Sequence, residues 1–312
     1  MQNKNPNSRF GIDLNEYTQD VDFRTLATTI DFLYLRASGS GTGRFRVDRR
    51  FIELAEGARN YGIPVGAYHY AVPSTDLTTA DAQCDDFIDT LQVGFGDRNY
   101  GDLFPVLDVE TPIDPKMNTD SLINWILRFK ERFERKTRRK LMLYTGLFFI
   151  QLYNNFTTSS GTQPLKTMPL WIAMYTDIPS NPPYPPDAGG WTRWTIWQFS
   201  EDQVVRGVSN PVDANWGPNN VDYLMQPKQV TGLSAYVDNG ELVVTWNRNN
   251  DADLLGYNLF QNGYWIGTVG KDDRSFRIAT SQLPVKTGRT TISIEAFDTD
   301  GETSQIRSRV QI

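Results

Sequence analysis

The 312 residues carry 31 Lys+Arg against 37 Asp+Glu, a net charge of −6, which excludes a sequence-independent nucleic-acid binder relying on clustered cations. Hydrophobic content of 39% with 12% aromatics excludes bulk disorder, and the length suits two domains. One cysteine, Cys84, and one histidine, His69, exclude an intramolecular disulfide, a cysteine-rich zinc module and a histidine-cluster metal site.

The first eight residues are polar, with no apolar core of a secretory signal. No apolar run approaches the roughly 20 residues of a membrane helix. The expectation is a chain made in the cytoplasm, without membrane insertion, that reaches any outside substrate by separate release.

From Arg9 to about Asn215, short apolar runs alternate with amphipathic stretches. Phe10–Leu14, Phe32–Arg36, Val65–Tyr70, Phe104–Val109, Leu141–Thr145, Leu170–Met174 and Thr195–Phe199 read as buried strands. Helices are expected over Phe51–Tyr61, with Ile52, Ala55 and Ala58 on one face and Gly62 as the stop, and over Thr79–Leu91. A third spans Thr119–Lys136 with Leu122, Ile126, Phe129 and Phe133 on one face. Such alternation predicts an α/β fold, either a parallel sheet closed into a barrel or a doubly wound open sheet. No glycine-rich phosphate loop follows any strand, so the barrel is favoured. A proline-rich loop runs from Pro179 to Pro186.

At Gln226-Pro227-Lys228 the texture changes, which places the domains at 1–226 and 227–312. Seven short apolar segments follow: Val230–Tyr236, Leu242–Trp246, Leu255–Phe260, Tyr264–Val269, Ser275–Ile278, Thr291–Phe297 and Ser304–Val310. Asp-Asn-Gly, Gln-Asn-Gly and Thr-Asp-Gly turns separate them, with no helical stretch. A β-sandwich is expected. Trp246, Gly256-Tyr257-Asn258 and Ala296–Gly301 resemble a fibronectin type III module of the immunoglobulin-like class.

Chemistry centres on Asp108-Val-Glu110, at the end of a buried run. Strand side chains alternate, so both carboxylates face one way. Their repulsion raises one pKa, which keeps an acid protonated near neutral pH. Asp13 ends the first strand, and Asp213 lies just beyond the last apolar run. In a barrel, C-terminal strand ends face the active-site mouth, so four carboxylates can converge there. A strand-end acid also serves as an ordinary cap, and the same cluster suits a hard cation such as magnesium or calcium. Tyr68, Tyr70, Tyr144, Trp171, Tyr175 and Trp197 also lie near strand ends. Singly they read as barrel core; together, beside carboxylates, they suit a saccharide groove.

Seven motifs in order then carry a resemblance: Gly11-Ile-Asp-Leu14, Val65-Gly-Ala-Tyr-His-Tyr70, Leu107-Asp-Val-Glu110, Leu143-Tyr-Thr145, Trp171-Ile-Ala-Met-Tyr175, Trp197-Gln-Phe-Ser200 and Val212-Asp-Ala-Asn215. Residues 9 to about 216 resemble the glycoside hydrolase family 25 lysozymes. The resemblance implies an irregular β/α barrel without a cofactor that cleaves the β-1,4 bond between N-acetylmuramic acid and N-acetylglucosamine in peptidoglycan. It implies Glu110 as general acid/base, Asp108 as its partner, Asp13 as the first-strand acid and Asp213 as the acid of the closing motif. The family's usual Lys and Glu-Gly of the second strand are replaced by Arg36-Ala-Ser-Gly-Ser-Gly41. Substrate assistance through Asp108 is favoured over Asp13 as nucleophile or base. With no leader, the setting expected is a phage or prophage lysin.

The remaining features read as structural: a hydrogen-bonded His69, a buried Cys84 and a solvated basic helix face from Arg128 to Lys140. Two rival functions stay open. One is a non-catalytic wall-carbohydrate binder, the other a virion structural protein. Tyr236, Tyr264 and Trp265 are candidates for wall contact or self-association.

Overall fold

The computed structural model describes residues 1–41, 43–110, 114, 116–175 and 183–312; residues 179–182 of the proline-rich loop therefore lie outside the described residues. The chain divides into two compact units, Met1–Leu224 and Met225–Ile312.

In the first unit, β1 (Phe10–Leu14), β2 (Phe32–Gly39), β3 (Arg46–Val47), β4 (Val65–Tyr70), β5 (Val106–Asp108), β6 (Met142–Gly146), β7 (Leu170–Ala173), β8 (Ile196–Gln203) and β9 (Val212–Trp216) form one sheet. Its order is β1-β9-β8-β7-β6-β5-β4-β2-β3, and the additional β1–β2 pairing closes eight strands into a barrel with β3 as a spur. The expectation of a parallel barrel needs one correction: β9 runs antiparallel to both β1 and β8. The connection from β8 spans only residues 204–211, too short for the helical crossover that a parallel neighbour needs.

Among the described residues, five α-helices accompany the strands: α1 (Phe23–Leu26), α2 (Phe51–Asn60), α3 (Thr78–Phe95), α4 (Thr119–Thr137) and α5 (Leu147–Leu152). Along α4 the stripe Leu122, Ile126, Phe129 and Phe133 is buried, and the Asn118 side chain caps the helix by accepting from Ser121 N. On α2 the buried face is Phe51, Leu54, Ala55 and Ala58, while Ile52 is exposed. Ala55 and Ala58 are buried as expected, but Ile52 falls off their stripe, which Phe51 and Leu54 complete as i, i+3, i+4, i+7. Past α2, Gly62 takes φ +69° and turns the chain away.

Two layers of packing position the site. Leu33, Leu35, Leu107, Leu143 and Ile172 face outward into the core shared with the helices. Alternate residues face the lumen, where Tyr34 and Trp171 pack with centroids 4.7 Å apart. The lumen admits these rings because glycine faces them: a Cβ at Gly11 would lie 2.3 Å from the Phe32 ring, and one at Gly66 2.6 Å from Tyr34.

The basic run is mostly spent on α3. Arg128 pairs with Asp81, while Arg132 and Lys136 pair with Asp85. Arg139 departs from the solvated reading: it is 1% exposed and donates to the carbonyls of Gly101 and Leu103. Cys84 is buried and its thiol is pushed up to about 12 by desolvation, so it is held as the unreactive thiol.

The second unit contains β10 (Ser234–Asp238), β11 (Glu241–Thr245), β12 (Leu254–Gln261), β13 (Tyr264–Gly270), β14 (Ser275–Ala279), β15 (Thr291–Asp298) and β16 (Ser308–Gln311). They form antiparallel sheets β10-β11-β14 and β13-β12-β15-β16. Leu242 and Val244 of one sheet share a buried core with Tyr257, Leu259, Ile292 and Ile294 of the other. Trp246 packs on Tyr257 at 5.3 Å.

Candidate active site

Each of the eight barrel strands sends at least one side chain into a cavity of about 160 Å³ at the C-terminal end of the parallel strands. The described lining comprises Asp13 and Asn15, Arg36, Tyr68 and Tyr70, Asp108 and Glu110, Tyr144, Trp171, Gln198 and Asp213. All four anticipated carboxylates therefore meet. Asp13 and Asp213 are opposed in register on β1 and β9, so Asp213 belongs to a strand rather than to the loop beyond one. Glu110 stands two residues past the end of β5 and is partly exposed, whereas Asp108 is buried.

The aromatic set divides. Tyr68, Tyr70, Tyr144 and Trp171 line the cavity. Trp171 is its floor, 1% exposed and contacted by the Tyr144 and Tyr68 rings at 5.0 and 6.2 Å. Tyr175 sits alongside, its hydroxyl donating to Gln198 Oε1 at 3.2 Å. Trp197 does not line the cavity. Alternation along β8 gives the lumen to Gln198 and turns Trp197 into the outer core, where its Nε1 donates to Met174 O.

His69 also points away from the cavity, between Ser38 Oγ at 2.9 Å and Gln83 Oε1 at 3.1 Å. Desolvation first pulls its pKa down to about 4, which keeps it neutral. Asn15, Gln198 and Asn215 are site residues that composition and acid spacing did not single out. Their signal was their place inside the recognised motifs or just after them.

Electrostatics dominate the cavity. Arg36 is the one cation among the described lining residues. Its Nε donates to Asp48 at 2.9 Å and its Nη2 to Glu16 at 3.0 Å. Glu16 also receives Arg46 and Arg49, and its pKa is lowered to about 2, chiefly by the Arg46 hydrogen bond. The cavity carboxyls shift the opposite way. Burial and then the charge of Asp13 push Glu110 up to about 7. Burial, then Asp13, pushes Asp213 up to about 9. Asp13 is also raised by burial, against the hydrogen bonds from Asn215, Asp213 and Gln198 that favour its charge. Asp108 is raised well above the carboxylate range by burial first and Glu110 second, and its Oδ1 is buried with no hydrogen-bond partner among the described residues. Among those residues, no group of three or more His, Cys, Asp or Glu has the arrangement to hold a metal ion.

A barrel mouth that keeps one carboxyl protonated near neutral pH, beside further carboxylates in a polar, aromatic-walled cavity, is the apparatus of a glycoside hydrolase. Residues 12–208 match glycosyl hydrolases family 25, and the chain belongs to that family. It is 33% identical over 205 residues to an N,O-diacetylmuramidase of Arthroderma benhamiae, a match covering 64% of this chain and 80% of that protein. The whole fold is similar to the spore cortex lytic enzyme SleM of Clostridium perfringens, with 55% identity and a TM-score of 0.96 over 100% of this chain and 99% of that one. A bacterial lysozyme of Streptomyces coelicolor, 25% identical, matches 70% of this chain and 96% of its own with a TM-score of 0.55.

Proposed function

We propose that the chain is a peptidoglycan N-acetylmuramidase that cleaves the β-1,4 bond between N-acetylmuramic acid and N-acetylglucosamine. The observation that carries this is the pairing of Glu110, protonated up to about pH 7, with the buried and unsatisfied Oδ1 of Asp108. Glu110 protonates the departing glycosidic oxygen. The 2-acetamido N–H of the substrate donates to Asp108 Oδ1, a bond that favours the charged carboxylate. The acetamido carbonyl so oriented attacks the anomeric carbon, closing a cyclic intermediate and expelling the leaving sugar. The Glu110 carboxylate then takes a proton from water, which opens the intermediate with net retention. Asp13 as direct nucleophile is the other route through the same residues.

The full-length similarity to a spore cortex lytic enzyme favours cortex peptidoglycan over the phage-lysin setting expected from the polar N-terminus. The second unit is taken as a fibronectin type III-like sandwich, a reading supported by its three- and four-stranded sheets around Trp246 and Tyr257. Tyr264 and Trp265, both 62% exposed on β13, supply a surface for wall contact or self-association, while Tyr236, 49% exposed, stands on β10 of the other sheet. Mass spectrometry of fragments from purified cortex tests the central claim. Muramic acid at the reducing end is the expected product; glucosamine there would assign a different bond, and no release would leave a binding protein.

A further inference from the structure

Two buried amides converge on one oxygen of Asp13. Gln198 Nε2 donates to Asp13 Oδ2 at 3.1 Å, and Asn215 Nδ2 donates to the same atom at 2.8 Å. The Asn215 amide is not free to turn over. Trp171 Nε1, which can only donate, lies 2.8 Å from Asn215 Oδ1, so rotating that amide would set two donors against each other. The Tyr144 and Tyr175 hydroxyls donate to Gln198 Oε1 at 2.8 and 3.2 Å, which leaves its amino group for Asp13. Gln198 and Asn215 are 2% and 0% exposed, so water has little access to repair a flipped amide.

The groups that face Asp13 come from around the barrel: Asp213 from β9, Asp108 and Glu110 from β5 and its continuation, Arg36 from β2, and Tyr68, Tyr144 and Tyr175. Two N–H donors on one oxygen favour the charged form of a carboxyl, and neither amide donates to Asp213. We propose that Gln198 and Asn215 are positioning residues that lock Asp13 as the anion of the cavity, so that the proton of the Asp13–Asp213 pair stays on Asp213 and the field of Asp13 falls on Glu110. Trp171 then serves a purpose apart from sugar contact: its indole N–H, a donor only, sets which way the Asn215 amide points, while the Tyr144 and Tyr175 hydroxyls satisfy Gln198 Oε1. The kinetic part of this inference rests on Glu110 as the acid; the titration part does not.

Carboxyl titration of the full-length chain by carbon NMR, with Glu110→Gln supplying the assignment, separates the two. In Gln198→Met and in Asn215→Leu, Glu110 is expected to titrate lower, by up to about one pH unit, the worth to Asp13 itself of a hydrogen bond to a charged group. The alkaline limb of the kcat/KM profile should move with it. Trp171→Phe, which removes the donor that orients Asn215, should give a smaller displacement in the same direction. A merely structural role would lower thermal stability without moving Glu110. An unmoved Glu110 titration in folded variants would overturn the lock. A displaced titration with an unmoved kinetic limb would support the lock and remove Glu110 from the acid role. If Asn215→Leu fails to fold, Gln198→Met and Trp171→Phe decide the matter.

Discussion

Asp13 and Asp213 stand opposite each other on adjacent antiparallel strands, a directly paired register position. A buried carboxyl set against a half-buried one in this way favours holding one proton between the two.

That arrangement gives stability an unusual pH dependence. Asp213, raised from 3.8 to about 9, and Glu110, raised from 4.5 to about 7, both lie above their unfolded values. Each therefore stabilises the folded chain fully below about pH 4 and loses that contribution as pH rises through its folded value. Thermal melts should show barrel stability falling from about pH 4 to about pH 9 through these groups. Asp213→Asn, neutral throughout, should flatten the dependence and melt higher than the wild type at the alkaline end. Parallel melting curves for the two proteins across that range would contradict the assignment.

Glu110→Gln is isosteric and cannot deliver a proton. Turnover should drop by about 10²–10⁴-fold with an unchanged melting temperature at acid pH. In the wild type, kcat/KM should decline as pH rises through about 7, where Glu110 loses its proton. Lysis at the wild-type rate by folded Glu110→Gln would assign the acid elsewhere.

Asp108→Asn distinguishes the two routes to the product. If Asp108 orients the acetamido group, kcat falls while KM changes little, because the contact strengthens towards the transition state. A thiazoline analogue of the cyclic intermediate should then inhibit the wild type. A glycosyl ester trapped on Asp13, with no thiazoline inhibition, would establish the direct nucleophile.

Glu16 holds Arg36 at the cavity edge from a buried position. Glu16→Gln should lower kcat/KM by roughly tenfold, through a displaced Arg36, since misplacing a cavity charge weakens preorganised electrostatics. Because its pKa is depressed from 4.5 to about 2, the wild-type contribution of Glu16 to stability is present above about pH 4.5 and lost as pH falls towards about 2. Steady-state kinetics that match the wild type would show that Arg36 needs only Asp48.

Residues 1–226 include every barrel strand and all four cavity carboxylates. The fragment should fold and cleave soluble glycan fragments. On intact cortex it should be slower if the second unit binds the wall, through lost effective concentration. Equal rates on cortex for fragment and full chain would reject wall contact.

Much of this site is legible in the sequence because carboxylates next to buried apolar runs are costly and therefore informative. Asp13, Asp108 and Glu110 stand out for that reason. Trp197 misleads because both faces of a barrel strand are buried, and apolar content alone does not give the parity that puts Gln198 inside. β9 hides because its lumen positions carry Asp213 and Asn215, which makes five strand residues look like a polar turn. Glu16 and Asp48 gain their meaning only from Arg36, 20 and 12 residues away, a pairing that no local pattern encodes.

The antiparallel course of β9 also settles where the first unit tolerates change. β9 begins beside the carboxylates and ends with Trp216 opposite Phe10, at the start of β1. The backbone thus quits the barrel at the end remote from its acids. The hairpin from Gln203 to Val212, by contrast, sits at the reactive end and carries no helix. Residues 204–211 of that hairpin are not among the described lining of the cavity, so lengthening it would extend the mouth without displacing a lining side chain. Changes after Leu224 fall outside the residues that line the cavity, so selectivity and attachment are carried by separate stretches of the chain.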